Sequence, residues 1–274
     1  MLDLLVHVSS YVTPGANAGY AAELAARLDA FLTGVFVAEP VLPLPTAGMP
    51  SMVSEIYAVA AQVAEEARAA DGDFRRFAAA RGATHARWQV AEGPLAAVLA
   101  SAANWHDLLV LEASGSALSA GIGTLGEVVL TCGLPCLVVP DQYDRAAALD
   151  TIVVAANGTP ESIRAAHAAL PLLKRARRVE LVLGVHAPVY ATIGWQPAPN
   201  LEEHLRRHGL PLVKRTLDAS DDRAGDAILA AAAELSADLL VMGAYGRSRF
   251  SEWLLGGATR QVLEHARLPV LLRH

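Results

Sequence analysis

The chain has 274 residues, 53% of them hydrophobic and 5% aromatic, with a formal net charge of −6. That length allows one large domain or two of about 140 residues, with a core that needs no covalent staples. The negative balance and scarce aromatics argue against nonspecific nucleic-acid binding, base-stacking surfaces and polybasic membrane attachment. A small anion held by a local cradle is still open. The start, MLDLLVHV, has no basic leader, and no run reaches the roughly 18 apolar residues of a membrane span. The expectation is a cytoplasmic protein with no nucleic-acid or membrane partner.

In chain order, Leu4 to Val8 reads as a buried strand. A polar turn follows through Pro14, Gly15 and Asn17. Ala18 to Leu32 reads as a helix with Ala22, Ala25, Leu28 and Leu32 on its inner face. Val35 to Ala38 is a second strand. Prolines 43, 45 and 50 exclude a regular element over Val41 to Met52. That stretch is a lid or partner surface, or a solvated insertion. Ser54 to Arg81 has the stripe of one long helix, through Ile56, Val59, Ala60, Val63, Ala67, Phe74 and Phe77, and Gly82 is placed to stop it. Ala86 to Val90 is a third strand, Pro94 to Ala103 a helix, Leu108 to Leu111 a fourth strand and Leu137 to Val139 a fifth.

After a short charged joint, Asp141 to Leu149, the plan repeats. Ile152 to Ala155 is a strand, and Thr159 is placed to cap a helix that begins at Pro160 and runs to about Arg178. Leu181 to Val185 is the next strand. A Pro- and Gly-bearing loop, His186 to Pro199, leads to a helix over Leu201 to His208, ended by Gly209. Pro211 to Leu217 is a strand and Ala224 to Leu235 an alanine-rich helix. Landmarks recur in order. Leu4 to Ser9 matches Ile152 to Asn157 at an offset of 148, and Val37 matches Val185 at the same offset. Asp107 to Val110 matches Asp238 to Val241 at 131, and Leu134-Pro135 matches Leu268-Pro269 at 134. A duplicated domain explains this. The expected fold class is α/β, with two tandem doubly wound domains over 1–145 and 146–274. Each is a five-stranded parallel sheet with helices on both faces.

The most informative stretch is ADLLVMGAYGRSRFSEWLLGGATRQVL, Ala237 to Leu263. The apolar run Leu239 to Met242 has the pattern of a strand buried on both faces. Gly243 and Gly246 follow it, and Gly256, Gly257, Ala258 and Thr259 precede a helical pattern. Glycine lets backbone approach a phosphate closely, and a helix start offers unpaired N–H groups with partial positive charge. Together they suit anion capture at the carboxyl end of a parallel strand. Two ordinary turns would leave the same glycines. Arg247 and Arg249 are placed to contact phosphate, or to lie solvated in the loop.

The spacing Gly, two residues, Gly, nine residues, Gly and a small residue, carried here by Gly243, Gly246 and Gly256, resembles the nucleotide-binding signature of the universal stress protein family. The closing LPVLL, Leu268 to Leu272, resembles its last strand. The family often has Ser or Thr where this chain has Gly257; the next hydroxyl is Thr259. The resemblance implies a bound adenine nucleotide, ATP with or without Mg, its adenine lying between the ends of strands one and two. It implies contacts from Ala156 and Asn157, the latter where the family commonly has Asp, and from the backbone of Val185. Family domains pair through their last strands, so Leu137 to Val139 and Val270 to Leu272 are the candidate edges of an intrachain pseudo-dimer. A homodimer is also open.

The first half departs further. Glu112 stands where the second half has Gly243, and only seven residues separate Gly115 from Gly123. A carboxylate there would repel polyphosphate, so this half reads as a degenerate structural partner. His204 and His208, spaced i, i+4, are metal-compatible, but no further ligand motif completes a site. Cys132 and Cys136 read as buried reduced thiols. There is no P-loop lysine, no nucleophile elbow and no evident general base beside the glycines. The expected function is nucleotide-dependent regulation in stress response, with slow ATP hydrolysis at most. The alternative is a scaffold that binds no nucleotide and acts through unidentified protein partners.

Overall fold

The computed structural model describes residues 2–39, 50–113, 122–184, 200–220, 223–244 and 257–274. The chain divides into two compact units, residues 1–112 with 131–134, and residues 113–130 with 135–274. The protein is a mixed α/β chain whose strands are mostly parallel. No described helix is long and apolar enough to cross a membrane.

The first unit runs β1 (Asp3–His7), α1 (Ala16–Leu28), β2 (Phe31–Ala38), α2 (Pro50–Ala69), α3 (Asp71–Ala79), β3 (Ala86–Glu92), α4 (Leu95–Ala103) and β4 (Leu108–Ala113). Its strands are parallel, in the order β3-β2-β1-β4. Leu4, Leu5, Leu109 and Val110 are completely buried in the middle of this sheet. Four sequence readings need correction. Helix α2 begins at Pro50, inside the stretch 41–52 expected to hold no regular element, of which 41–49 lie outside the described residues. The helix expected from Pro160 to about Arg178 is two, Pro160–Ala168 and Leu170–Leu173, and Arg178 opens a strand. The first helix stops at Leu28, because Asp29 adopts a left-handed conformation and the Ala30 N–H closes back on the Ala25 carbonyl. Leu32 therefore belongs to β2. The long helix expected over 54–81 is two helices that meet at Ala70. The buried Trp88 indole donates 2.7 Å to the Ala67 carbonyl, so that last-turn acceptor is bonded from outside the helix. Asp71 and Asp73 then suit the positive start of a new helix. The inner face of α2 includes Ala60, Ala64 and Ala67, whereas Val59 is exposed. Gly82 does stop α3, at φ +88.

The chain continues with α5 (Ile122–Thr131). The second unit's other elements are β5 (Cys136–Pro140), β6 (Thr151–Ala156), α6 (Pro160–Ala168), α7 (Leu170–Leu173), β7 (Arg178–Gly184), α8 (Leu201–Arg207), β8 (Leu212–Leu217), α9 (Ala224–Glu234), β9 (Leu239–Gly243), α10 (Gly257–His265) and β10 (Val270–Arg273). Strands β10, β9, β6, β7 and β8 are parallel neighbours in that order. The order β8-β7-β6-β9 repeats the β3-β2-β1-β4 order of the first unit. The two candidate edge strands pair with each other: β5 runs antiparallel to β10, with Val138 opposite Val270 and Leu137 opposite Leu271. Both cysteines are buried and neither forms a disulfide.

In the first unit, burial pushes the His7 imidazole down to about 4. The folded chain thus holds this ring neutral, while the unfolded chain takes up a proton near pH 6.5. The stability tied to His7 is complete above that pH and is lost as pH falls from about 6.5 to about 4. The unfolding free energy from urea denaturation should fall by an amount on the order of 3 kcal/mol between pH 7 and pH 4. The His7→Leu variant should lack most of that slope.

Candidate functional site

In the second unit the chain order reverses at β6: β7 lies on one side of it and β9 on the other. This is the switch point at which open α/β sheets form a crevice beyond their carboxyl ends. A cleft of about 270 Å³ lies there. The strand ends Ala156, Gly184, Leu217 and Gly243 all line it.

One side of the cleft is apolar. Val182 of β7, Leu217 of β8, Ile228 of α9 and Met242 of β9 contribute to it. The other side is the start of α10, through Gly257, Ala258 and Thr259. First-turn N–H groups have no partner inside their own helix and carry the positive end of the dipole. Thr259 is buried at 4% exposure, so its hydroxyl is within this lining and away from bulk solvent. Among the described residues a Cβ at Gly257 would meet nothing within 4 Å, so none of them requires glycine there for space.

Between the two sides stands the turn from β6 into α6. The Asn157 side-chain oxygen accepts from the Thr159 N–H at 3.3 Å and from the Thr159 hydroxyl at 2.9 Å. Because a backbone N–H can only donate, these bonds fix which end of the Asn157 amide is oxygen. Its NH2 group is thereby left to serve as a donor at the cleft. The Thr159 hydroxyl accepts in turn from the Ser162 N–H, and so caps α6 as its position predicts. The Ser162 hydroxyl donates to the Thr159 carbonyl. Glu161 is the one charged side chain among the described lining residues.

Gly243 has a role that its motif spacing did not reveal. A Cβ at this position would stand 2.5 Å from the Ser162 nitrogen and 2.8 Å from the Glu161 carbonyl carbon. Both are backbone atoms, so neither can swing aside. The glycine is required by the first turn of α6, which packs against the end of β9. Close approach to a phosphate is not needed to explain it.

The first unit treats the matching place differently. Glu112, at the end of β4, accepts a hydrogen bond from the Ala16 N–H at 3.1 Å. Its carboxylate thus lies at the start of α1, which has no side-chain cap of its own. Gly15 makes room for it, since a Cβ there would be 2.5 Å from the carboxylate oxygen. Unit one supplies its own anion to a helix start.

Six residues expected from sequence to contact nucleotide line the one cleft: Ala156, Asn157, Gly243, Gly257, Ala258 and Thr259. Val185, Gly246, Arg247, Arg249 and Gly256 lie outside the described residues. Sequence reasoning missed Glu161, Ser162 and the apolar residues Val182, Leu217 and Ile228 as lining. The turn Asn157-Gly158-Thr159-Pro160-Glu161, directly after a buried strand, was the available signal for the first two.

The site is thus a crevice at the switch point of a doubly wound α/β domain. Residues 148–274 match the Universal stress protein family, and this part of the chain is a domain of that family. No curated protein matches the sequence. A universal stress protein from Archaeoglobus fulgidus is similar across both chains, covering 98% of this one and 95% of its own, at 14% identity and a TM-score of 0.69. A functionally unknown protein from Pseudomonas aeruginosa PAO1 covers 100% and 92%, at 14% identity and a TM-score of 0.57. A putative universal stress protein from Pseudomonas aeruginosa UCBPP-PA14 covers 100% and 93%, at 15% identity and 0.57. At these identities the likeness is one of fold.

Gly243 and Gly257 should respond differently to the same change. Gly243→Ala should destabilise the chain by about 1–3 kcal/mol through forced overpacking. Gly257→Ala should leave the denaturation midpoint within about 0.5 kcal/mol of wild type. In the first unit, Glu112→Ala removes a helix-start anion and should cost about 1 kcal/mol. Chemical denaturation of the three variants checks all of this.

Proposed function

We propose that the second half binds an adenine nucleotide, ATP, and that occupancy regulates the protein in a stress response. The observation that carries this reading is the convergence of six sequence-selected residues on one cleft with two chemically distinct sides. The apolar side formed by Val182, Leu217 and Ile228 suits a purine ring. The N–H groups of Gly257 to Thr259 suit phosphate oxygens. Asn157, between them, offers a donor to the sugar. Where magnesium accompanies the phosphates, Glu161 is the described lining residue with an oxygen suited to it. Arg247 and Arg249 add positive charge close by in sequence. The first half is the degenerate copy: its Glu112 carboxylate takes the place an incoming anion would need. No catalytic group is assigned, and the nucleotide acts here as a ligand.

The second reading is a scaffold that binds protein partners and no nucleotide. The observation favouring it is Gly243, whose packing against α6 explains the glycine without phosphate. Mass spectrometry of freshly purified protein separates the two readings, since copurified nucleotide is expected only under the first.

Isothermal calorimetry with ATP should show saturable binding to the wild type, at one site per chain. Gly257→Asp places a negative charge at the start of α10 in open space, where the fold tolerates a side chain. It should weaken binding about tenfold or more by repulsion of phosphate. Gly257→Ser, which adds a hydroxyl, should strengthen it. Absence of binding at millimolar ATP in folded wild type would reject the proposal.

A further inference from the structure

Three imidazoles stack on one another between α6 and α8, away from any residue that lines the cleft. The His167 ring, in the last turn of α6, is 4.3 Å from the His204 ring between centroids, tilted by 35°. The His208 ring follows, 4.8 Å from His204 and nearly perpendicular to it. Among the described residues no group of three His, Cys, Asp or Glu side chains is arranged to hold a metal ion. The contact is therefore one of rings.

We infer that the His167–His204–His208 stack is a proton-operated latch, in which neutral rings hold α8 against α6 and protonation releases it. The central ring carries the argument. His204 Nε2 is buried and has no hydrogen-bond partner among the described residues. A bare lone pair at that position is tolerable, so the neutral ring keeps its proton on Nδ1. An imidazolium has a donor on both nitrogens, and the one at Nε2 would face no acceptor. Acid therefore works against the docked arrangement.

The surrounding charges reinforce this. From α6 the ring faces His167, and from its own helix His208 and Arg207. Burial first, and then the charges of these three groups, hold the His204 imidazole below its ordinary value. The nearby carboxylates of α8 are already paired. Glu203 is bonded to Arg207, and Glu202 to Arg206 and to Lys214 of β8. None of them hydrogen-bonds a ring of the stack among the described residues. His167 and His208 are exposed, and any positive charge on either lies beside the central ring. The sign follows: with a depressed value in the docked state, the latch is fully closed above about pH 6.5 and weakens as pH falls below it. Helix α6 also supplies Thr159, Glu161 and Ser162 to the cleft, so the latch acts on a helix that forms one of its walls.

Amide hydrogen exchange of the full chain, corrected for intrinsic rates, tests this. Protection of the α8 amides 202–208 should be present at pH 7.5 and lost at pH 5.5. In His204→Phe, which keeps a ring and removes the proton site, protection should persist at both. Unchanged wild-type protection at pH 5.5, or the same loss in His204→Phe, overturns the latch. Should that variant fail to fold, wild-type NMR titration of the imidazoles decides. His204 protonating below the ordinary imidazole range supports the latch. His204 titrating as an isolated imidazole overturns it.

Discussion

The first turn of α6 lies so close to the end of β9 that no side chain fits between them, and Gly243 is the residue that permits it. This contact brings Thr159 and Ser162 down onto the strand ends, and their hydroxyls and N–H groups satisfy one another with Asn157. These bonds hold the turn and do not engage the Asn157 NH2. Because α6 is held by packing, the space beyond β9 is left to the start of α10. The cleft exists because the two helix starts are separated in this way, one consumed by the protein and one facing the opening.

The other half meets the same constraint with a different residue. At the end of β4 a glutamate replaces the glycine, and the neighbouring helix start bonds to its carboxylate. The space needed for that side chain comes from Gly15. A helix start attracts an anion in either case. In one half the anion is built into the chain; under the proposed function, the other half offers the position to a ligand. Charge therefore separates the roles of two units with the same strand order. The antiparallel pairing of β5 with β10 covers the apolar edge of β10, which would otherwise invite association.

Much of this was legible in the residues. The apolar runs at Leu4, Ile152 and Leu239 have the unbroken pattern of strands buried on both faces, and the recurrence of landmarks exposed the repeat. Thr159 before Pro160 marked a helix start because side-chain capping is local. Helix ends were less legible where a tertiary contact set them. The break at Ala70 follows from Trp88, 18 residues later, taking the Ala67 carbonyl, and no periodicity in α2 could show it. The residues on the α10 side of the cleft were legible from spacing. The apolar side was not, because Val182, Leu217 and Ile228 come from three separate elements and resemble ordinary core residues. Gly243 stood out by spacing, whereas its packing constraint is a helix more than 80 residues earlier in the chain.

The central claim is that the backbone N–H groups opening α10 are the anion-binding groups of the second half. The most direct measurement is an amide NMR titration of the folded chain with ATP. The account predicts saturable shifts largest at Gly257, Ala258 and Thr259, with smaller ones at the Asn157 side-chain NH2 and none at Ala16. Shifts that leave residues 257–259 unmoved, or that centre on Ala16 and Glu112, would contradict it.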